Sequence, residues 1–265
     1  MSPRIKAFVV HLAISLLLLA GILYVVVFIW YPPPFFAADG GWQGVKIMIG
    51  VDLVLGPLLT LAVYNPGKGM DRLRRDLIII AIIQISALTA GAWVVADQRT
   101  RMVTFADSRF VSMTEVQIEE SGVSDTVLET LSGQRPPMAY VRLPENEAER
   151  SRFIMSTMGG KPLFKHGDRY EPLTFENRMR IVVKGFDLSR VAQVIPELAP
   201  EIDAFLEEIG RSAEEVSALP LYCRYEVLTL VMDRASGEIL DTLNITHEQL
   251  IASGSLERLQ GEGKL

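Results

Sequence analysis

Asp52, Gly56 and Thr60 are the residues whose types and spacing could do chemistry in this sequence. They lie in an 18-residue stretch from Ile47 to Tyr64 in which Asp52 is the only charged residue. Such a stretch is typical of a helix that crosses a bilayer. A carboxylate in the middle of that helix costs about 2.5–3.5 kcal/mol to insert, and such groups mark functional sites by default. The four-residue spacing places all three residues on one helix face, so the sequence predicts a packing site at bilayer depth.

Pro57 strengthens this prediction, because proline has no N–H to bond the carbonyl of Leu53. Two interpretations of the face remain open. In the first, the face holds the membrane helices of this chain together, and Gln84 or Ser86 pairs with Asp52 at similar depth. In the second, the face is a docking site for a helix of another protein.

A glycine-rich segment precedes this helix, and it reads Asp39, Gly40, Gly41, Trp42, Gln43. Two adjacent glycines predict a tight turn at the membrane surface, with the tryptophan as an interfacial anchor. The segment lacks the spacing of a phosphate-binding loop, so it does not indicate nucleotide binding.

Three apolar segments, at about 7–31, 45–64 and 77–96, predict a three-helix transmembrane module over residues 1–96. The first segment is too long for the apolar part of a signal peptide, so we expect an uncleaved helix. The N-terminus and the second loop carry basic residues, whereas the first loop has none. Because basic loops stay in the cytoplasm, the N-terminus is expected inside. Three crossings then place residues 97–265 outside, in the periplasm of a bacterium with two membranes.

Residues 97–265 are expected to form a soluble, acidic periplasmic domain. They contain 19 Lys/Arg and 28 Asp/Glu, whereas residues 1–96 contain 7 and 4. An acidic domain makes nucleic acid an improbable partner, because phosphate binding needs clustered cations. The single cysteine, Cys223, excludes an intrachain disulfide, and its apolar surroundings predict a buried free thiol.

Hydrophobic patterns predict an α+β fold for this domain. Strands are expected at 102–106, 110–115 and 138–143. Helices are expected at 124–131, with Ser124 or Asp125 as the cap, and at 145–158. A hairpin is expected at 162–173, the type of 180–183 is open, and prolines divide 188–210 into two helices. A second hairpin is expected from 221–233 and 238–245, and a frayed polar tail at 254–265.

The sequence predicts a non-enzymatic protein without cofactor or metal. His166 and Asp168 could form an acid–base pair, but His, Gly and Asp together are more typical of a plain turn. The sequence has no GxSxG, HExxH, CxxC or calcium-loop motif. A membrane-anchored periplasmic enzyme remains an alternative, as does a sensor or transport component built on Asp52 and the interrupted second helix.

The run from Tyr31 to Lys68, YPPPFFAADGGWQGVKIMIGVDLVLGPLLTLAVYNPGK, resembles the signature of the type IV pilin accessory protein family (the TfpX/TfpZ group). The matching positions are Tyr31-Pro32, Asp39–Gly44, Val51–Leu61 and Pro66–Lys68. Beyond this run, the C-terminal part resembles the family only in length and position.

The resemblance implies a bacterial inner-membrane protein that is linked to a major pilin and is needed for assembly or retraction of type IV pili. It implies no catalytic residue and no cofactor. The partners expected from it are the major pilin, the pilus assembly machinery and the surrounding membrane lipid, with the oligomeric state left open. A pilin subunit has an apolar helix in the bilayer and a globular head outside, so we hypothesise that the three helices hold its helix while the periplasmic domain contacts its head. The predicted partner-binding residues are Asp39, Gly40, Gly41, Trp42, Gln43, Asp52, Gly56, Pro57 and Thr60.

Overall fold

The computed structural model of the chain describes residues 2–31, 33–131, 133 and 135–245, without the side chain of residue 66. The chain divides into two compact units, Met1–Arg99 and Thr100–Leu265. The predicted polar tail at 254–265 lies outside the described residues.

The N-terminal unit contains three helices that are long and apolar enough to cross a membrane: Pro3–Trp30, Gly41–Val63 and Met70–Asp97. We call them the first, second and third membrane helices. All three begin earlier than the predicted spans. The third helix starts at Met70 because Asp71 in its first turn suits the positive helix end, and the arginines that follow favour helix. Most of the predicted basic loop is therefore helical.

The second membrane helix is interrupted. An α-helical part, Gly41–Ile49, leads into a π-helical part, Gly50–Leu55, and α-helix resumes over Gly56–Val63. A wider turn at this place fits the proline at position 57, which cannot donate the hydrogen bond that a regular α-helix needs.

The tight turn predicted for the glycine-rich segment is present, but it is shorter than the segment. Gly40 has a left-handed backbone, with φ of 92°, but Gly41, Trp42 and Gln43 already belong to the second membrane helix. A short helix, Phe35–Ala38, precedes them. The turn is therefore confined to Asp39 and Gly40, because one left-handed residue is enough to start the helix.

The C-terminal unit is built on a seven-stranded mixed sheet in the order β4-β3-β1-β2-β5-β6-β7. The strands are β1 (Met102–Ala106), β2 (Arg109–Met113), β3 (Met138–Val141), β4 (Tyr170–Pro172), β5 (Val216–Tyr222), β6 (Val227–Asp233) and β7 (Ile239–Leu243). The pairs β1–β3 and β2–β5 are parallel, and the other four are antiparallel. The chain is therefore a membrane protein with three N-terminal helices and a separate α+β unit, as the sequence predicted.

The helices of the C-terminal unit are Glu115–Ser121, Asp125–Thr130, Glu147–Thr157, Phe175–Val182, Leu188–Val194 and Ala199–Ile209. The first two and the last two contribute side chains to two apolar cores among the described residues. One core joins the last two of these helices to β5, β6 and β7, and the other lies on β1 to β4. The side chain of Ser124 accepts a hydrogen bond from the N–H of Val127, which confirms its predicted role as a helix cap.

Several local predictions in the C-terminal unit are wrong. The segment 162–173 is not a hairpin: two short 3₁₀ turns lead to β4, which pairs with β3. Gly167 packs against the backbone of Val123, so tertiary contact fixes this turn. Leu221 does not start the last hairpin but belongs to β5. Cys223, directly after β5, is half-buried rather than buried.

Candidate partner-binding site

The carboxylate of Asp52 is buried between the three membrane helices, with 3% of the residue exposed. Its Oδ1 accepts a hydrogen bond from Nε2 of Gln84 on the third helix, at 3.0 Å. It also accepts one from Oγ of Ser15 on the first helix, at 3.4 Å. The predicted pairing with Gln84 is confirmed, whereas Ser86 is exposed. Sequence reasoning missed Ser15, because one serine in a long apolar run does not show which way it points.

Gly56 and Pro57, about one turn after Asp52 on the second helix, are both buried. A Cβ atom on Gly56 would overlap the side-chain amide of Gln84. The absence of a side chain at position 56 therefore lets the second and third helices approach each other, as small residues do in membrane bundles.

Thr60 continues this face towards the end of the second helix. Its hydroxyl lies 2.5 Å from Nδ1 of His11 on the first helix, and Thr60 is 2% exposed. Asp52, Gly56 and Thr60 are thus all buried against other helices. Their polar groups contact the first and third helices of the same chain.

The π-helical part moves the unpaired carbonyl to a different residue. The N–H of Gly56, which an α-helix would give to the carbonyl of Asp52, bonds to the carbonyl of Val51. The next donor would be Pro57, which has none. Nε2 of Gln84 lies 3.5 Å from the Asp52 carbonyl oxygen. The carbonyl that proline deprives of a donor is therefore that of Asp52 and not that of Leu53.

One oxygen of the Asp52 carboxyl remains without a partner. Within the described residues, Oδ2 is buried and accepts no hydrogen bond. A buried acceptor without a donor costs about 1–3 kcal/mol. The cluster can therefore take up one further donor without losing a contact that it already makes.

The glycine-rich segment forms the opposite end of the site. Asp39 and Gly41 are buried, whereas Trp42 and Gln43 are exposed. The indole ring of Trp42 stands edge-on to Phe36, with ring centres 5.2 Å apart. A Cβ on Gly41 would overlap Phe36, so glycine is needed for this contact. The side chains of Trp42 and Gln43 are therefore exposed above a tightly packed base, which consists of Phe36 and Asp39–Gly41.

This base is attached to the third helix through Tyr31. The Tyr31 ring is buried, and its hydroxyl donates to the carbonyl of Val95 at 2.9 Å. Gly44 packs against the side chain of Val95, where a Cβ would overlap. Val95, near the end of the third helix, therefore contacts both the residue that follows the first helix and the start of the second.

The candidate acid–base pair in the C-terminal unit, His166 and Asp168, lies beside an aromatic side chain. Nδ1 of His166 lies 3.7 Å from the carboxylate of Asp168, and its Nε2 lies 3.3 Å from the carbonyl of Lys161. The imidazole packs edge-on against Phe153 at 5.0 Å. Among the residues that the structure describes, no group of three His, Cys, Asp or Glu could hold a metal ion.

The chain is similar to fimbrial assembly proteins of Dichelobacter nodosus. It is 31% identical over 113 residues to the protein of serogroups C1 and C2, and this match spans 42% of the chain and 86% of the relative. It is 31% identical over 96 residues to the serogroup I protein, spanning 36% of the chain and 37% of the relative. For the serogroup E1 protein the identity is 29% over 113 residues, with 42% of the chain and 44% of the relative spanned.

No family model matches the chain, and no solved structure matches it. The chain covers most of the first relative and less than half of the other two. Since 31% identity extends over 86% of a known fimbrial assembly protein, this chain belongs to the family of fimbrial assembly proteins.

Proposed function

We propose that this protein is a non-enzymatic inner-membrane accessory protein of type IV pilus biogenesis, of the TfpX/TfpZ group. In this role it binds the major pilin and supports pilus assembly or retraction. The relationship to fimbrial assembly proteins carries this proposal. The architecture supports it, because a subunit that waits in the membrane offers both a helix and a head to bind.

In the proposed topology the N-terminus is cytoplasmic and the C-terminal unit is periplasmic. Charge supports this orientation: residues 1–6 and 64–77 hold six Lys/Arg, whereas the connection at 31–40 holds none. A reporter fused to the C-terminus tests it directly. Cytoplasmic activity of that fusion would end the proposal, because the C-terminal unit could not then reach a pilin head.

We place the primary pilin contact at Trp42 and Gln43. Both side chains are exposed, and Trp42 keeps 52% of its surface free. Asp39, Gly40 and Gly41 shape the base beneath them. Aromatic side chains on a rigid base are the usual anchors of protein interfaces.

The role of Asp52, Gly56, Pro57 and Thr60 as direct partner contacts stays a prediction. Their face is covered by the first and third helices, so a pilin helix reaches it only if Gln84 moves away from Gly56. The free Oδ2 of Asp52 is the feature that favours such an exchange, since an incoming donor would find an acceptor there.

In-cell photo-crosslinking separates these contacts. A photoreactive amino acid at position 42 should give an adduct with the major pilin, and one at position 82, an exposed position in the third helix, serves as the control. The same photoreactive amino acid at position 60 tests the buried face, and an adduct with pilin there would support a direct contact. Adducts from position 42 that contain only this protein would contradict pilin binding at Trp42.

A deletion strain tests the function itself. Loss or change of twitching motility with normal growth is the expected result. An uptake or metabolic defect with intact pili would instead favour a transport component or an enzyme.

A further inference from the structure

A groove of about 590 Å³ lies where the first membrane helix begins, the second ends and the third begins. All three helices contribute to its walls. It is separate from the Trp42 surface, which lies at the start of the second helix. The groove is no part of the primary pilin contact proposed at Trp42 and Gln43, and it shares only Thr60 with the buried face of Asp52.

The lining of the groove changes from charged to apolar along the helix axis. Lys6 and Tyr64 stand at the helix ends, and Ile14 and Ala81 line the deeper part. Eight residues of helix separate Lys6 from Ile14, which is about 12 Å. A ligand that fits this lining has a polar head and an apolar tail.

Two polar groups occupy the middle of the wall. The ring of His11 and the hydroxyl of Thr60 line the groove and contact each other at 2.5 Å. The half-buried ring of His11 offers a hydrogen bond at the depth where the ester groups of a lipid follow its phosphate, and the buried hydroxyl of Thr60 holds that ring in place. A ligand that is apolar along its whole length would give the His11 ring no hydrogen-bond partner.

The charge at this end of the unit selects for an anion. Residues 1–6 and 64–77 contain six Lys/Arg and only two Asp. Lys68 forms an ion pair with Asp76 at 3.4 Å, but no carboxylate in the described part of the chain pairs with Lys6. Basic pockets between membrane helices bind anionic lipid head groups.

We propose that this groove binds one anionic phospholipid. Lys6 contacts its phosphate, the ring of His11, held by Thr60, faces the ester region, and one acyl chain runs along Ile14 and Ala81. The inference does not depend on pilin binding, because it uses only the groove and the charge around it.

Native mass spectrometry of the full-length protein, released from detergent, tests the site. Phosphatidylglycerol and phosphatidylcholine with identical acyl chains are added in turn. We expect one bound phosphatidylglycerol and markedly lower occupancy by phosphatidylcholine. Equal occupancy by the two lipids would overturn the proposal, since the head group would then not be recognised.

Two pairs of variants locate the lipid. Lys6→Gln should lower phosphatidylglycerol affinity about fivefold, whereas Arg74→Gln, exposed at the same end but outside the groove, should have a smaller effect. Ala81→Trp fills the groove and should remove the bound lipid, whereas Ala90→Trp adds the same ring elsewhere on the third helix. Equal losses within either pair would overturn the assignment. If the elution volume shows that Ala81→Trp does not fold, the comparison of Lys6→Gln with Arg74→Gln alone tests the assignment.

Discussion

Gln84 fills the space that Gly56 leaves by having no side chain, and its amide nitrogen lies 3.0 Å from the carboxylate of Asp52. The side chain of Gln84 thus makes two contacts with the second helix. It packs against Gly56, and it donates a hydrogen bond to Asp52. The two demands are linked, because a bulkier residue at position 56 would push the amide away from the carboxylate. Gly56 and Asp52, four residues apart, therefore both determine where the Gln84 amide lies.

Gly56→Ala should therefore destabilise the membrane unit. The added methyl overlaps the Gln84 amide, and overpacking of this kind costs about 1–3 kcal/mol. The measurement is the midpoint of thermal aggregation in detergent, together with the protein level in membranes. Gly50→Ala is the matched control, because nothing lies within 4 Å of a Cβ there. Similar losses in both variants would contradict the role given to Gln84.

Asp52→Asn should leave the protein level close to that of the wild type. The amide oxygen of asparagine can still accept from Gln84, and the atom that replaces Oδ2 takes a position that has no partner in the described structure. Asp52→Leu should lower the level, because the buried Gln84 amide would lose its acceptor at a cost of about 1–3 kcal/mol. Quantitative immunoblots of membranes compare the two variants. Equal depletion of both would show that the carboxylate itself is required for folding.

Trp42→Ala should weaken piliation and leave the membrane unit folded. The indole is half exposed and contacts Phe36 only at its edge, so its removal opens no buried cavity. The reporter is surface pilin, sheared from cells and quantified against total pilin. Trp93→Ala is the matched control, since Trp93 is 70% exposed on the third helix and belongs to no proposed contact. Normal surface pilin in the Trp42 variant would remove the indole from the proposed interface.

The membrane unit was largely predictable from sequence because its signals are local. Hydropathy located the three helices, and the four-residue spacing located the face of Asp52. Two features were not predictable. The π-helical part shifts the carbonyl that loses its backbone donor from Leu53 to Asp52, and the contact from Ser15 depends on how the first helix is rotated. Both depend on the packing between helices, which the pattern of a single helix does not contain.

The C-terminal unit was harder to predict because its sheet joins distant segments. β5 was missed since Val216–Tyr222 contains a proline and lacks a clear alternation of apolar and polar residues. β4 is only three residues long, and it is a strand because it pairs with β3. The cap of the helix Asp125–Thr130 was narrowed to Ser124 or Asp125, because a cap depends on neighbours within three residues.

Asp168→Asn should leave piliation unchanged. The carboxylate is 68% exposed, and its partner His166 is engaged by Phe153 and by the carbonyl of Lys161. Exposed ion pairs contribute about 0–1 kcal/mol, so protein stability should also change little. Surface pilin and thermal stability are measured side by side. A loss of piliation at normal stability would revive the enzymatic alternative for the C-terminal unit.

Asp233 should make the C-terminal unit sensitive to acid. Its Oδ1 accepts from the N–H of Ser236 at 2.8 Å, from the hydroxyl of Ser236 at 3.0 Å and from the N–H of Ala235 at 2.9 Å. The Ser236 N–H is the main cause that holds the pKa of Asp233 below its ordinary value, and Arg211, 3.3 Å away, adds to it. The contribution to stability is therefore present at neutral pH and is lost as the pH falls through the lowered pKa.

Asp233→Asn should lower the free energy of unfolding by about 1–3 kcal/mol at pH 7. The difference from the wild type should shrink as the pH falls, because the protonated wild-type carboxyl makes the same hydrogen bonds less well. Cys223, the only cysteine, reports unfolding of this unit through its reaction with an acid-tolerant disulfide reagent in urea. A gap between the two midpoints that stays constant from pH 7 to strongly acidic solution would show that the charge of Asp233 does not stabilise the β6–β7 turn.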